Sequence, residues 1–227
     1  MRELKSLIGK LQFTCCIITT GRCFLRRLHD KTVGKSSPSS KILLDPETKE
    51  DLKTWQLFLS KLNGRNLLAF SNVWSSSELH MFSDSSKSGY GASFKTKFFY
   101  GDFPMSWTSL DIQVLELFPI FLLIHVFTNA LSNNHVTFHC DNIAIVHTIN
   151  NQTSRNKSVM KLLRPMLLLM LRNNIMFRVI HIPGIKNTLC DALSRQQVSG
   201  TLLRKYGMEP SPVPIPSKLR PHNLGLL

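Results

Sequence analysis

From residue 78 onward the chain changes from helical periodicity to short strands, and this change constrains the fold more than any other feature. Three strand candidates separated by turn residues come first, "ELHMFSD", "YGASFK" and "KFFYGDF". Such spacing predicts an antiparallel meander. A long apolar helix, a strand "HVTFHCD", two helices, a strand "IMFRVIHI" and a last helix follow. This order predicts an α/β fold with a mixed sheet of about five strands and crossover helices on its faces.

Residues 1–75 are predicted to form a helical module in front of that sheet. Apolar residues recur at helical spacing in "LKSLIGKLQFTCCII", and "GRCFLRRLHD" continues as a short basic helix. In "DPETKEDLKTWQLFLSKLNG", Asp45 is the expected N-cap, Pro46 the first helical residue and Gly64 the end. The sheet domain then covers 76–197, and the Pro-rich tail at 198–227 is expected to be an extended or disordered linker.

The charge of the chain favours a polyanionic partner. Lysine and arginine number 28 against 14 acids, a formal net charge of +14, as is typical of nucleic-acid-binding proteins. The longest apolar run, around 115–127, is interrupted by polar residues and proline, and no cleavable signal peptide is evident. We therefore expect no membrane partner and a cytoplasmic or nuclear location. The five cysteines lack a CxxC pair, so neither a disulfide framework nor a zinc ribbon is indicated.

Four acids of the middle segment stand where solvation alone does not explain them. Asp84 and Asp141 close the first and fourth strands, Glu116 lies in the apolar helix, and Asp191 lies in the last helix. An unpaired buried carboxylate is costly, which makes Glu116 the least ordinary of the four. If the first and fourth strands are neighbours, all four carboxylates converge at one edge of the sheet.

Converging carboxylates repel each other and take up protons unless a cation keeps them ionised. Oxygen ligands select a hard divalent ion, Mg²⁺ first and Mn²⁺ second. Two such ions about 4 Å apart can activate a water and stabilise a leaving 3′ oxygen. A basic chain with this cluster is therefore predicted to cleave phosphodiester bonds.

Each acid also has an ordinary alternative role. Asp84 can be a turn residue, Asp141 the N-cap of the following helix, and Asp191 the partner of Arg195 one helical turn away. The ordered set, on strand, helix, strand and helix, favours the joint interpretation over these separate ones.

Four stretches together resemble the ribonuclease H domain attached to retroelement reverse transcriptases. They are "FSDSSKSGYGAS", "LELFPI", "FHCDNIAIVHTINNQTS" and "HIPGIKNTLCDALSRQ". The sequences "LIGKLQF", "GRCFLRRL" and "IPGIKNTLCDALSRQ" are most similar to those of DIRS-like retroelements. The polyproteins of these elements join a reverse transcriptase to a tyrosine recombinase. The resemblance covers most of the chain.

That resemblance implies a ribonuclease H-like fold and an endonuclease that cuts the RNA strand of RNA–DNA hybrids with Mg²⁺ or Mn²⁺. Its metal ligands and catalytic residues would be Asp84, Glu116, Asp141 and Asp191, holding two ions. It also implies that 1–75 is a thumb-like or connection-like module, and that the remainder of the reverse transcriptase is a partner. No YxDD-type motif occurs, so no polymerase activity is expected from this fragment.

Candidate nucleic-acid contacts fall in two groups. The first group would grip the duplex through its positive charge: Lys157, Lys161, Arg164, Arg22, Arg26 and Arg27. The second would sense 2′-hydroxyl groups across the minor groove, with turn or cap roles as an equal alternative: Ser85, Ser86, Asn142 and Gln152.

Two other functions remain open from the sequence. The chain could be a catalytically inactive nucleic-acid-binding relic of a retroelement, with salt-dependent binding and no metal-dependent product. It could also be another enzyme of the same fold, such as a DNA-strand transferase or an exonuclease. Preference for hybrid over duplex DNA separates that last possibility.

Overall fold

The computed structural model describes residues 1–35, 37–61 and 78–225. Five strands form one sheet: β1 Glu78–Ser85, β2 Gly89–Phe94, β3 Lys97–Asp102, β4 His135–Cys140 and β5 Met176–His181. Their order is β3-β2-β1-β4-β5. The first three are antiparallel neighbours, whereas β4 runs parallel to β1 and β5 parallel to β4. The predicted mixed sheet of five strands is confirmed, and β1 and β4 are neighbours, which is the condition for the four acids to converge.

Helices precede the sheet, connect its strands and follow it. Their bounds are α1 Arg2–Thr14, α2 Arg22–Asp30, α3 Pro46–Lys61, α4 Ile112–Leu131, α5 Ile143–Asn151, α6 Lys157–Arg172, α7 Thr188–Ser194 and α8 Gly200–Lys205. At the start of α3, the predicted cap forms, because Asp45 Oδ1 accepts the Thr48 N–H at 2.7 Å. The predicted helix end at Gly64 and the predicted boundary at residue 75 lie outside the described residues.

Helix α4 is the central element of the hydrophobic core. It is apolar on nearly every side and packs against β1, β2 and α6. Its length and composition are sufficient for a membrane span, more than the interrupted apolar run suggested. However, 72% of its most apolar stretch is buried inside the fold, as expected for a core helix.

Helix α4 continues through Pro119, and its one non-helical residue is Phe127. Proline has no N–H to donate to the carbonyl four residues earlier, so Leu115 loses its normal helical partner. The Ser85 hydroxyl donates to that carbonyl at 2.7 Å. This buried hydrogen bond replaces the missing helical one and fixes α4 against the end of β1.

The N-terminal helices are joined to the sheet domain through a buried ion network and a continuous core. Asp51 on α3 is 2.9 Å from Arg27 on α2 and 3.6 Å from Arg164 on α6. Side chains of α1, α2 and α3 belong to the same hydrophobic cluster as α4 and α6. The division at residue 75 stays a prediction about folding units.

The C-terminal tail, predicted to be extended or disordered, is held against the sheet. It contains α8 and then follows edge strand β3, where the Glu209 and Val213 N–H groups donate to Thr96 and Phe98 carbonyls, each at 2.8 Å. Leu219 is buried in the main core. The tail is held because it covers hydrogen-bonding groups at an otherwise open sheet edge.

Candidate acidic metal centre and basic cleft

The four predicted acids come from four different elements that meet near the ends of β1 and β4. The parallel register places Phe82 beside His139, so the two strands end side by side. Asp84 feels the charges of Asp141 and Asp191 and acts on that of Glu116, so it is the member that links the other three.

Glu116 is a deeply buried acid of the cluster. It is 7% exposed, and its Oε2 atom has no hydrogen-bond partner among the described residues. Burial raises its pKa to about 8, with further contributions from Asp84 and Asp141, while a hydrogen bond with Asn142 acts in the opposite direction. A buried carboxyl with an unused oxygen is suited to a cation, which would supply the missing partner.

Asp84 is also buried, and its orientation is fixed by the last helix of the domain. Burial raises its pKa to about 6, and the charges of Asp141 and Asp191 act in the same direction. Ser194 on α7 donates its hydroxyl to Asp84 Oδ2 at 2.7 Å. This hydrogen bond favours the ionised form of the Asp84 carboxyl group and occupies its Oδ2 atom.

Asp141 and Asp191 are more accessible, and their alternative roles have different outcomes. Asn142, not Asp141, is the N-cap of α5, since its side chain accepts the Ala144 and Ile145 N–H groups. The cap role proposed for Asp141 is therefore wrong. The pairing of Asp191 with Arg195 does occur, with 2.8 Å between Nε and Oδ1.

Gly91 allows α7, and with it Asp191 and Ser194, to lie directly on β2. A Cβ atom at this position would be 2.3 Å from Leu193 Cβ and 2.8 Å from the Ser194 backbone nitrogen. We expect Gly91→Ala to lower the free energy of unfolding by about 2 kcal/mol or more, because backbone atoms of α7 would have to move. Urea unfolding measures the change.

Gly9→Ala is the matched control for this substitution, because a Cβ at this position on α1 would have nothing within 4 Å. Alanine favours helix over glycine, so this variant should be neutral or more stable. Equal stability of the Gly91→Ala and wild-type proteins would contradict the close approach of α7.

Three donor atoms within the cluster are close enough to share an ion. Ligand atoms of Glu116, Cys140 and Asp141 all lie within 4.8 Å of one another. The carboxylates among them, together with Asp84, offer the oxygen ligands that Mg²⁺ and Mn²⁺ prefer. The residues present therefore fit a hard divalent ion.

Ser85, Ser86 and Asn142 lie within two residues of Asp84 or Asp141, whereas Gln152 is at the other end of α5. Several of these candidate 2′-hydroxyl contacts already have structural partners. Ser85 is buried and bonded to the Leu115 carbonyl, and Asn142 caps α5. Ser86 bonds the Ser194 carbonyl at 3.0 Å, and Gln152 is a buried residue in left-handed conformation at the end of α5. Their proposed contact with nucleic acid stays a prediction.

The predicted duplex-gripping residues converge on one cleft between α2, α3 and the start of α6. Its volume is about 460 Å³. Five of the six predicted cations line it: Arg26, Arg27, Lys157, Lys161 and Arg164. Arg22 is exposed outside this lining, and Arg164 is buried next to Asp51.

Acids neutralise only part of this cleft. Arg26 pairs with Asp30 at 2.9 Å and Arg27 with Glu47 at 2.8 Å. By contrast, Lys157 has no acidic partner in the described ranges, and Lys161 donates only to the Gly225 carbonyl at 3.3 Å. Lys31 pairs with Asp45, whereas the positive charges of Lys157 and Lys161 are not neutralised by an acid of the described residues.

Sequence reasoning missed four residues of these two sites. Lys31 and Arg155 line the cleft, Ser194 orients Asp84, and Cys140 lies within the acidic cluster. Only Cys140 carried a sequence signal, its position directly before Asp141. The others depend on how separate elements pack together.

The comparisons with known proteins concern the fold. No protein-family model matches the chain, and no curated protein sequence matches it. Among solved structures, ribonuclease H1 from the halophilic archaeon Halobacterium salinarum NRC-1 is similar, with 10% identity over 54% of this chain and 100% of that one, and a TM-score of 0.42.

A foamy viral protease-reverse transcriptase in complex with double-stranded DNA is also similar, with 14% identity, a TM-score of 0.33 and 80% of this chain covered. The match spans 34% of the viral chain. At these identities and TM-scores, the activity of neither protein is assigned to this chain. Its own strand order and flanking helices are those of a ribonuclease H-like fold.

Proposed function

We propose that this chain is a metal-dependent endonuclease that cuts the RNA strand of RNA–DNA hybrids. The observation that carries the proposal is the buried Glu116 oxygen without a hydrogen-bond partner in the described structure, surrounded by the carboxylates of Asp84 and Asp141. Such an arrangement is unfavourable for three ionised acids alone, and a divalent cation removes the conflict.

In this proposal Asp84, Glu116, Asp141 and Asp191 hold two ions, Mg²⁺ first and Mn²⁺ second. When bound, the ions activate a water for attack on the phosphorus and stabilise the leaving 3′ oxygen. Ser194 keeps Asp84 directed into the site. The pair between Asp191 and Arg195 is exposed, so Asp191 can turn towards an ion at little cost.

The basic cleft would hold the phosphate backbone of the duplex while the acidic cluster meets the scissile bond. Phosphate contacts position a duplex without reading its bases. Ser86 and Asn142 follow β1 and β4, respectively, beside the acids, and are the candidates for sensing 2′-hydroxyl groups.

Replacing Lys157 and Lys161 together with alanine tests the cleft. We expect hybrid binding to weaken about tenfold near 0.1 M salt, and the slope of log affinity against log salt to shrink by about two units, because two phosphate contacts are lost. Fluorescence anisotropy over a salt series measures both quantities.

The matched control for the cleft replaces Lys49 and Lys53 together with alanine. They are exposed on α3, outside the cleft lining, and their loss removes the same charge. If both double variants lost affinity equally, net charge and not the cleft would account for binding.

The function itself is tested by incubating the purified chain with a hybrid in which each strand carries a different label, with Mg²⁺ or with EDTA. The proposal predicts Mg²⁺-dependent cleavage of the RNA strand alone. Tight, salt-sensitive binding without cleavage would instead support the inactive relic. Cleavage of duplex DNA at equal rate would support another enzyme of the same fold.

We also propose the wider context that the sequence resemblance implies. The chain would act as part of a retroelement reverse transcriptase of DIRS-like type, in the cytoplasm or nucleus, with polymerisation supplied by other parts of that protein. Restored or increased cleavage on addition of such a polymerase portion would support this assignment.

A further inference from the structure

Cys140 places a sulfur atom inside the acidic cluster. It is the last residue of β4, and its side chain is on the same buried face as Val136 and Phe138, towards α4. It is 0% exposed. Its sulfur and the carboxylate oxygens of Glu116 and Asp141 all lie within 4.8 Å of one another.

The second observation is the state of the Glu116 carboxyl group. Its Oε2 atom is buried and has no hydrogen-bond partner in the described part of the chain. The Cys140 sulfur is held only weakly, since it accepts the Asn142 N–H at 3.4 Å and donates to the Asn142 carbonyl at 4.0 Å. Glu116 Oε2 and Cys140 Sγ are therefore two ligand atoms that can still bind an ion.

A thiol changes which ions this group prefers. Mg²⁺ and Mn²⁺ take oxygen ligands, whereas Zn²⁺ and similar softer ions bind thiolate at about 2.3 Å and carboxylate at about 2.0–2.2 Å. In tetrahedral geometry such ligand atoms are separated by less than 4.8 Å, so closing on one ion needs only a small inward movement. A group of two carboxylates and one thiol therefore suits a softer ion such as Zn²⁺ better than it suits a further Mg²⁺ or Mn²⁺ ion.

We propose that Glu116, Cys140 and Asp141 form a site for a single thiophilic divalent cation, of the Zn²⁺ or Cd²⁺ class. Binding forms one metal–sulfur bond and releases the thiol proton to solvent, and below about pH 8 it also releases the proton that Glu116 holds. The proposal rests on the proposed function in that two ligands are shared with the Mg²⁺ centre. A thiophilic ion therefore competes with Mg²⁺ and occupies the centre in a form with fewer oxygen ligands.

The test uses the metal-free full chain and Cd²⁺ as the probe. Cys16, an exposed thiol, is replaced by serine in every protein compared. We expect Cd²⁺ to produce an ultraviolet cadmium–thiolate absorption band in this parent protein. Calorimetry then gives the Cd²⁺ and Mg²⁺ affinities in the absence of any nucleic acid.

The deciding variant is Cys140→Ser, which keeps the size of the side chain and removes the sulfur. We expect it to lose the band and to bind Cd²⁺ at least about tenfold more weakly, with Mg²⁺ affinity changed less than about threefold. Cys23→Ser, at another buried thiol on α2, is the control and should keep both the band and the affinity. An unchanged band and Cd²⁺ affinity in Cys140→Ser would overturn the proposal.

Glu116→Gln provides a second measurement that does not depend on how Cys140→Ser folds. It keeps the thiol and removes a charged ligand, so Cd²⁺ binding should weaken, and undiminished binding would count against the site. Failure of the nuclease is seen separately, as absent hybrid cleavage in Mg²⁺, because Cd²⁺ binding is measured without substrate.

Discussion

Replacing Asp141 with asparagine is expected to lower Mg²⁺-dependent cleavage of the RNA strand by at least about a thousandfold, which corresponds to about 4 kcal/mol of transition-state stabilisation. Asp141 lies at the exit of β4, close to Glu116 and within the field of Asp84. An amide keeps its shape and removes the charge that holds an ion. Hybrid affinity should change only a few-fold, because the proposed contacts to the phosphate backbone are made in the basic cleft.

Single-turnover cleavage and anisotropy measure the two quantities for the same preparation. Asp102→Asn is the matched control, since it removes an exposed carboxylate from the end of β3, outside the cluster. The control should retain wild-type cleavage. Cleavage by Asp141→Asn at more than about a tenth of the wild-type rate would contradict the assignment of Asp141 as a metal ligand.

Replacing Glu116 with glutamine is expected to abolish cleavage and, without metal, to make the protein more stable than wild type at high pH. The pKa of Glu116 is raised to about 8 from a reference value of 4.5. Between these values the folded state holds a proton that the unfolded state releases, so wild-type stability falls as pH rises through that window. Below pH 4.5 both states are protonated and no difference arises from this group.

Urea unfolding in EDTA from pH 5 to pH 8.5 measures the effect. We expect the stability difference between Glu116→Gln and wild type to grow with pH and to reach a few kcal/mol near pH 8. Asp51, whose pKa is raised to about 6, is present in both proteins and outside the cluster, so its contribution cancels. Asp84, whose pKa is also raised to about 6, interacts with Glu116, so the difference reports Glu116 together with its coupling to Asp84.

Mg²⁺ should reverse this order of stability between Glu116→Gln and wild type. The ion stabilises ionised Glu116 in wild type, so adding it at pH 8 should raise the wild-type melting temperature more than that of Glu116→Gln. A stability difference that stays constant between pH 5 and pH 8.5 would show that Glu116 is not held neutral by its surroundings.

Much of the sheet was predictable because local patterns and chain order determine it. Turn residues after Asp84 and between the next two strands predicted the meander, and the apolar helix before "HVTFHCD" predicted a crossover connection. The structure adds that this connection makes β4 parallel to β1. Glu116 stood out for a simple reason, since a carboxylate in an all-apolar helix has few ordinary explanations.

The way in which the cost of Pro119 is met and the position of the tail were not predictable in this way. The cost of Pro119 is offset by Ser85, which is 34 residues earlier and meets Leu115 only in the folded state. The tail looks polar and Pro-rich in sequence, yet the edge of β3 offers it hydrogen-bonding partners. Both outcomes depend on contacts between distant segments.

By itself, the sequence determined which strands and helices of 78–197 form, in what order, and which four acids stand in unusual positions, because periodicity, capping and burial preference act over short stretches of chain. The tertiary structure alone decided that Cys140 joins Glu116 and Asp141, that Ser194 orients Asp84, and that cations from α2 and α6 share one cleft. Proximity between residues far apart in the chain is set by packing, and packing depends on the shapes of all the elements together.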